Sequence, residues 1–257
     1  DTGCGIDVLK KVRSAFPIDL IINSHSHPDH SAGNWLFPDI PLYGPIQSAD
    51  THGRINPLAV RFTEPGALAR SWIRFVASAL DFRDRPPTHF FGEGDRFDCG
   101  GVTLQAVYTP GHTIDHYCFF EPDQKILFGF DLDLTPFGPW YGHRESDLAG
   151  LRHSIRRMRD LNSETVVSSH REVIRDNVRE EIDRFEGVLA RREQTLLAIL
   201  TKPATLEDLV RARPFYGRYP YAPDLLEYWE GRMIEKHLAE LCARGAVRRV
   251  DGGYRAV

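Results

Sequence analysis

The stretch His25-Ser26-His27-Pro28-Asp29-His30 sets three imidazoles and one carboxylate within six residues. Imidazole nitrogen and carboxylate oxygen are the atoms that divalent transition metals accept. The apolar run Asp19-Leu20-Ile21-Ile22 just ahead reads as a short buried strand, so these side chains sit on a loop where they can converge. The chain has 11 histidines in 257 residues, and chance rarely gathers three of them beside an aspartate in this order. Three more ligand-type residues each follow a strand-like segment. His112 comes after Gly101–Tyr108, Asp131 after Lys125–Phe130, and His170 after Glu164–Ser168. Strand ends that share one edge of a layered fold would bring all seven residues together.

The elements that must position them are readable from periodicity. His116–Phe120 and Lys125–Phe130 read as strands joined by the turn Glu121-Pro122-Asp123-Gln124. Ile6–Phe16 and Asp147–Leu161 carry apolar residues at helical spacing. The strand-poor segment Pro57–Gly94 reads as an insertion with one helix, about Gly66–Leu80, and its aromatic series suits core packing or a pocket wall. Short strands mixed with amphipathic helices imply α/β layers. From Asp176 the texture changes to a long helix reaching about Leu200 and a capping-box start at Thr205 with Asp208. A helix over Pro223–Ala243 follows, stopped by Gly245, and then a hairpin turning at Asp251-Gly252-Gly253. The expected division is a catalytic domain over 1–175 and a mostly helical, winged-helix-like domain over 176–257.

Composition narrows the function classes. Lys and Arg number 32 against 36 Asp and Glu, a formal charge of −4, so there is no general attraction to nucleic acid or anionic membrane. The four cysteines are scattered, without a C-x-x-C pair, which suits thiols in a reducing compartment. No apolar run approaches the ~20 residues that span a bilayer. The expectation is a cytoplasmic protein with no membrane segment.

Taken with these motifs, the chain resembles the metallo-β-lactamase superfamily. Its H-x-H-x-D-H signature matches His25, His27, Asp29 and His30. Pro110-Gly111-His112-Thr113, Phe128-Gly129-Phe130-Asp131 and Ser169-His170 match its other ligand segments, and Asp1-Thr2-Gly3 resembles its supporting D-T-G turn. The resemblance covers 1–170 and implies a four-layer αββα sandwich with two metals at one edge of facing sheets. It implies that one metal takes His25, His27 and His112, that the other takes Asp29, His30 and His170, and that Asp131 bridges them. Three imidazoles leave an open position, the arrangement of a catalytic zinc. Two adjacent cations bring the pKa of a shared water to about 7, so no Ser or Cys nucleophile is needed. On this resemblance Asp29 is expected to be the catalytic residue that orients the hydroxide and Asp1 to support the site from behind. His116 is expected to be a hydrogen-bonder behind the ligands or a buried histidine, not a ligand.

The sequence departs from the family pattern at two points. Phe130 stands where a glycine commonly precedes the bridging Asp, which leaves Asp133 as a rival to Asp131. The segment Ser168-Ser169-His170-Arg171 lacks the usual flanking glycines. Tyr141 and His143, on the loop after Asp131, are candidates to face the substrate.

The expected function is therefore a dinuclear metal-dependent hydrolase, most simply zinc with Fe or Mn as substitutes, that uses a metal-bound hydroxide on a small ester, thioester or lactone. The alternatives are a mononuclear iron oxidoreductase of the persulfide-dioxygenase type and a nuclease of the same superfamily. Residues 171–257 carry 16 Lys and Arg against 15 Asp and Glu, and the helix over Pro223–Arg244 is mainly acidic. That balance argues against duplex binding and for a packing or homodimerisation role. In the resembled family the D-T-G turn follows strands of the first sheet, so the natural chain is expected to carry residues ahead of Asp1.

Overall fold

Alternation along the strands decides the layering. The structure, a computed structural model, describes residues 1–257. A first sheet joins β1 (Ile21–Ile22), β2 (Leu42–Pro45) and β3 (His89–Phe91), all parallel and in that order. A second sheet runs β4 (Arg96–Asp98), β5 (Thr103–Tyr108), β6 (Tyr117–Glu121), β7 (Ile126–Phe130) and β8 (Thr165–Ser168). Its pairs are antiparallel except β7 with β8, a parallel pair that requires a crossover. Helix α5 (Leu148–Asp160) provides it.

Ala106, Tyr117 and Phe119 of the second sheet meet Phe91 of the first in the core between the sheets. Their neighbours Val107, Cys118 and Leu127 point the other way, onto α5 and the start of α6 (Val178–Ile199). On the far side, α1 (Ile6–Ala15) lays Leu9 against Ile21 and Leu42. The layers are helix, sheet, sheet, helix. One helical turn, α2 (Pro28–Ser31), follows β1.

One expectation needs correction, and one strand was not foreseen. Segment 57–94 holds not one helix but most of α3 (Ile55–Phe62), all of α4 (Ala67–Leu80) and strand β3. Strand β2 was hidden because Leu42-Tyr43-Gly44-Pro45 carries two strand breakers. Gly44 is tolerated for a packing reason: a Cβ there would lie 2.5 Å from the Pro87 ring.

The C-terminal part continues with α7 (Leu206–Ala212), α8 (Pro223–Ala243), β9 (Val247–Val250) and β10 (Gly253–Ala256). Thr205 and Asp208 form the capping box reciprocally. The far end of α6, α7, α8 and β9 share a core of their own, which includes Leu200, Leu209 and Ile234. Yet Val178, Ile182 and Phe185 of α6 pack with α5 and the second sheet, and Leu226 and Trp229 of α8 pack with α3 and α4. Buried apolar surface therefore runs across the 175/176 division. No helix is long and apolar enough to cross a membrane.

One glycine ties the fold to the site. Gly111 adopts φ +126°, and a Cβ there would lie 2.2 Å from the backbone nitrogen of Leu151 in α5. Neither the φ nor the backbone clash can be relieved by a rotamer. Gly111→Ala is expected to destabilise by about 2 kcal/mol or more, lowering Tm by roughly 4–8 °C on thermal unfolding. An unchanged Tm would show that this backbone is free to relax.

Candidate metal centre

The structure gathers the seven residues into two adjoining groups, each able to hold a metal ion: His25, His27, His112 and Asp131, and beside them Asp29, His30 and His170. Asp131 lies between the groups. Its Oδ2 is 3.1 Å from His112 Nε2 and 3.6 Å from both His25 Nε2 and His27 Nδ1. Its Oδ1 is 2.7 Å from His30 Nε2 and 3.2 Å from His170 Nε2. Asp29 Oδ2 lies 3.9 Å and 3.8 Å from the same two nitrogens, at the more exposed rim. Asp133 stands aside, its Oδ1 accepting from the backbone N–H and hydroxyl of Thr135.

Local geometry explains how the chain delivers these atoms. β1 ends at Ile22, His27 occupies the N-cap of α2 with Pro28 at its first position, and Asp29 and His30 share that turn. Thr2 N–H donates to the His30 carbonyl at 2.7 Å, strapping the D-T-G turn under the loop. Gly3 is obligatory there, since a Cβ would sit 1.3 Å from the Asp29 carbonyl oxygen. At Asp131, the β7–β8 register shifts between Phe128 and Phe130, and Phe130 takes the left-handed φ of +50°. The position where the family commonly has glycine thus keeps the glycine-like backbone, and the kink aims Asp131 off the sheet edge.

Each buried imidazole is held by its outer nitrogen. His30 Nδ1 donates to Asp1 Oδ2 at 2.8 Å, and His112 Nδ1 donates to the Trp140 carbonyl at 2.9 Å. His25 Nδ1 lies 3.0 Å from Ser24 Oγ, and His27 Nε2 lies 3.2 Å from His143 Nδ1. Such outer bonds fix ring orientation and tautomer at metal sites. They leave Nε2 of His25, His30 and His112, and Nδ1 of His27, facing Asp131. Asp1 also accepts from Ser24 N–H at 2.7 Å, so it braces the loop as well as the ring.

The donor set fits a divalent metal. His25 Nε2 is buried with no hydrogen-bond partner, and His30 Nε2 and Asp131 Oδ1, though 2.7 Å apart, have only each other in a contact too poorly aligned to satisfy either, a state proteins seldom leave uncompensated. His27 Nδ1 and His112 Nε2 converge to 3.0 Å. Burial holds the His25 imidazole well below its ordinary pKa and brings His27 down to about 4, so both are neutral. Burial opposes ionisation of Asp131, but the surrounding histidines outweigh it and hold its carboxyl well below the usual range.

His116 is not among the inward atoms. Its Nδ1 meets Thr109 Oγ1 at 2.8 Å and its Nε2 accepts the Asp131 backbone N–H at 3.3 Å, so it steadies the carboxylate's own peptide. Burial brings its imidazole to about 3. His143 lines the cavity over the site and stacks on Phe62 at 4.0 Å. Tyr141 requires correction as a substrate contact. It is fully buried behind the loop, its hydroxyl 2.6 Å from His237 Nε2 and accepting from Arg192 at 3.0 Å. The neighbouring cluster Glu193, His237 and Glu240 already holds cationic partners in Arg152 and Arg244 and is an ion-pair network.

Sequence reading missed a second brace under the histidine loop. Arg61 of α3 donates to Asp115 Oδ1 at 2.6 Å, to Glu145 Oε1 at 2.7 Å and to Ser26 Oγ at 3.0 Å. Asp115 Oδ2 accepts the Ser26 backbone N–H at 3.0 Å. Burial disfavours the Asp115 charge, yet Arg61 beside it holds the carboxyl well below the usual range. The available signal was Asp115 itself, a carboxylate between Ile114 and His116, three residues after His112.

Residues 1–170 match the family model described as the metallo-beta-lactamase superfamily. Beta-lactamase-like protein 2 homolog of Caenorhabditis elegans is 26% identical over 159 residues, covering 62% of this chain and 51% of that protein. The atrochrysone carboxyl ACP thioesterase of Aspergillus fumigatus is 33% identical over 166 residues, covering 58% and 49% respectively. The chain thus spans about half the length of these curated relatives. The crystal structure of a metallo-beta-lactamase family protein from Thermus thermophilus shares the fold with a TM-score of 0.73 at 22% identity, covering 97% of this chain and 84% of that one. Since the matched stretch contains every residue of both ligand groups, the chain belongs to the metallo-β-lactamase superfamily.

Proposed function

We propose that this chain is a dinuclear metal-dependent hydrolase acting on an ester, thioester or lactone. The observation that carries the proposal is Asp131, a buried carboxylate with one oxygen turned to each ligand group. His25, His27 and His112 would hold one cation and Asp29, His30 and His170 the other, with Asp131 between them. When bound, two zinc ions lower the pKa of water toward neutrality and polarise a carbonyl oxygen. Asp29 is half-exposed at the rim and within 4 Å of His30 and His170, where its free carboxylate oxygen can orient an attacking water and take its proton. No side-chain nucleophile competes for that role. Burial pushes the Cys118 thiol up to about 12, and Cys118 lies in the core beneath the second sheet. The thioesterase relative favours a thioester within this class.

The C-terminal helices and hairpin, winged-helix-like in outline, act as a packing unit that walls the site. They are not a nucleic-acid module, because α8 presents Asp224, Glu227 and Glu235 against few cations. The unpaired cysteines suit a reducing, cytoplasmic setting.

Three measurements test this reading. Elemental analysis of purified protein should find two zinc per chain, and Asp131→Ala should lower that content; one iron per chain would replace the proposal with a mononuclear oxygenase. Asp29→Ala should cut kcat by a factor on the order of 10²–10⁴ while the Tm stays within a few degrees. Near-normal turnover would remove Asp29 from the mechanism. Fluorescence anisotropy with duplex DNA at 150 mM salt should show no micromolar binding, whereas tight, steeply salt-dependent binding would restore the nuclease alternative.

A further inference from the structure

A cavity of about 700 Å³ opens over the two ligand groups, within the range of pockets that take drug-sized ligands. Its two ends differ in chemistry. At one end are Asp29, Asp131, Asp133 and the histidines. Elsewhere the wall is mainly aromatic, with Trp72 and Phe75 from α4, Phe137 and Trp140 from the loop after β7, and Tyr216 and Trp229 from the C-terminal part. Val76, Leu80 and Leu226 are its aliphatic members.

No lysine or arginine lines the cavity. The cations nearby are already engaged. Arg61 is paired with Asp115 and Glu145, Arg192 donates to the Phe137 and Pro139 carbonyls, and Lys236 donates to the His143 carbonyl. A substrate carboxylate or phosphate entering the aromatic end would lose water and gain no counter-charge, which disfavours it.

Trp140 joins the two ends. Its carbonyl holds His112 Nδ1, its ring packs edge-on against His143 and Trp229 with centroids 4.7 Å and 5.6 Å away, and its Nε1 donates to the Tyr216 hydroxyl at 2.6 Å. The wall is therefore a connected aromatic surface that begins at a ligand histidine. At the mouth, Phe75 and the half-exposed Tyr221 stack nearly parallel, with an interplanar angle of 3°.

Resting on the hydrolase reading above, we infer that the acyl group cleaved here is flat, aromatic and uncharged, with its carbonyl at the histidine–carboxylate end and its rings along Trp140 and Trp229. Flat rings gain stacking and edge-to-face attraction at each aromatic contact beyond the area they bury, which alkyl chains of equal area do not. The C-terminal part supplies Tyr216, Tyr221 and Trp229, so it is the element that selects the acyl group.

The test uses the zinc-loaded full chain and four p-nitrophenyl esters: acetate, octanoate, 2-naphthoate, and 2-naphthoate bearing a 6-carboxylate. The naphthoate should exceed acetate in kcat/KM by at least about tenfold and should also exceed octanoate, and the added carboxylate should erase the gain. Trp229→Leu should shrink the naphthoate-to-acetate ratio severalfold, and Tyr221→Ala at the exposed mouth should shrink it less, so a folding failure of the first variant leaves the second. Equal kcat/KM for all four esters, or preference for octanoate or the charged naphthoate, would overturn the inference while leaving the hydrolase proposal standing. Saturable quenching of tryptophan fluorescence by 2-naphthamide reads the pocket without chemistry. Such binding in a protein that cleaves none of the esters would sustain the aromatic pocket and sink the hydrolase proposal, and no binding and no cleavage would sink both.

Discussion

Everything in this chain is arranged around one unfavourable act, the burial of the Asp131 carboxylate among five imidazoles. Removing a carboxylate from water costs several kcal/mol, a cost that has to be met by the histidines around it. Nor is the converse comfortable, because the inward nitrogens of His27 and His112 face each other at 3.0 Å and that of His25 has no hydrogen-bond partner. Such a group is stable only if its atoms are held from outside or bridged by positive charge from within. The chain does the first: Ser24, Asp1, Trp140 and His143 each fix an outer nitrogen, and His116 fixes the Asp131 peptide. Cation binding would do the second, which is why the geometry reads as a metal centre and not as a polar core.

The parts of the site that were legible in sequence are those whose chemistry and spacing coincide. His25, His27, Asp29 and His30 fall within one loop and turn, so nothing but local backbone is needed to bring them together. His112, Asp131 and His170 were legible for a different reason, since each follows an apolar run that had to be a buried strand. Asp1 was visible only through resemblance and His116 only as a histidine left over from the ligand set, and the structure gives both hydrogen-bonding work. The Arg61–Asp115–Glu145 brace left no such trace. Its members lie 54 and 30 residues apart, and a lone Arg on an amphipathic helix looks like any solvated residue. Tyr141 failed in the opposite way. It neighbours His143 in sequence, but the irregular loop turns one ring to the cavity and the other to the interior.

Strand legibility followed the same logic. β5 to β8 are runs of apolar and β-branched residues bounded by turns, whereas β2 carries Gly44 where Pro87 approaches too closely for anything larger. Phe130 and Leu134, both at left-handed φ, would not be placed there by propensity. They mark where the second sheet gives up its register to aim Asp131. The strain sits at the functional edge and is held by the sheet on one side and the C-terminal helices on the other.

That second support explains why an active site would need residues so far downstream in sequence. The loop from Asp131 to Arg144 forms no regular secondary structure, so its carbonyls need partners from elsewhere. Arg171 donates to the Leu134 carbonyl, Arg192 of α6 to those of Phe137 and Pro139, and Lys236 of α8 to that of His143. His112 takes the Trp140 carbonyl between them. Positively charged donors make the stronger class of hydrogen bond, and Arg192 makes its own while almost fully buried. The loop that carries Asp131, Asp133, Trp140 and His143 is thus held in shape from positions after 170. Removing those donors would leave buried carbonyls unpaired directly beside the site. The C-terminal part is therefore not an appendage to a finished catalytic sandwich. The same C-terminal part that supplies Tyr216, Tyr221 and Trp229 to the aromatic wall also holds the backbone that positions the carboxylate between the two ligand groups, so pocket shape and ligand placement cannot change independently.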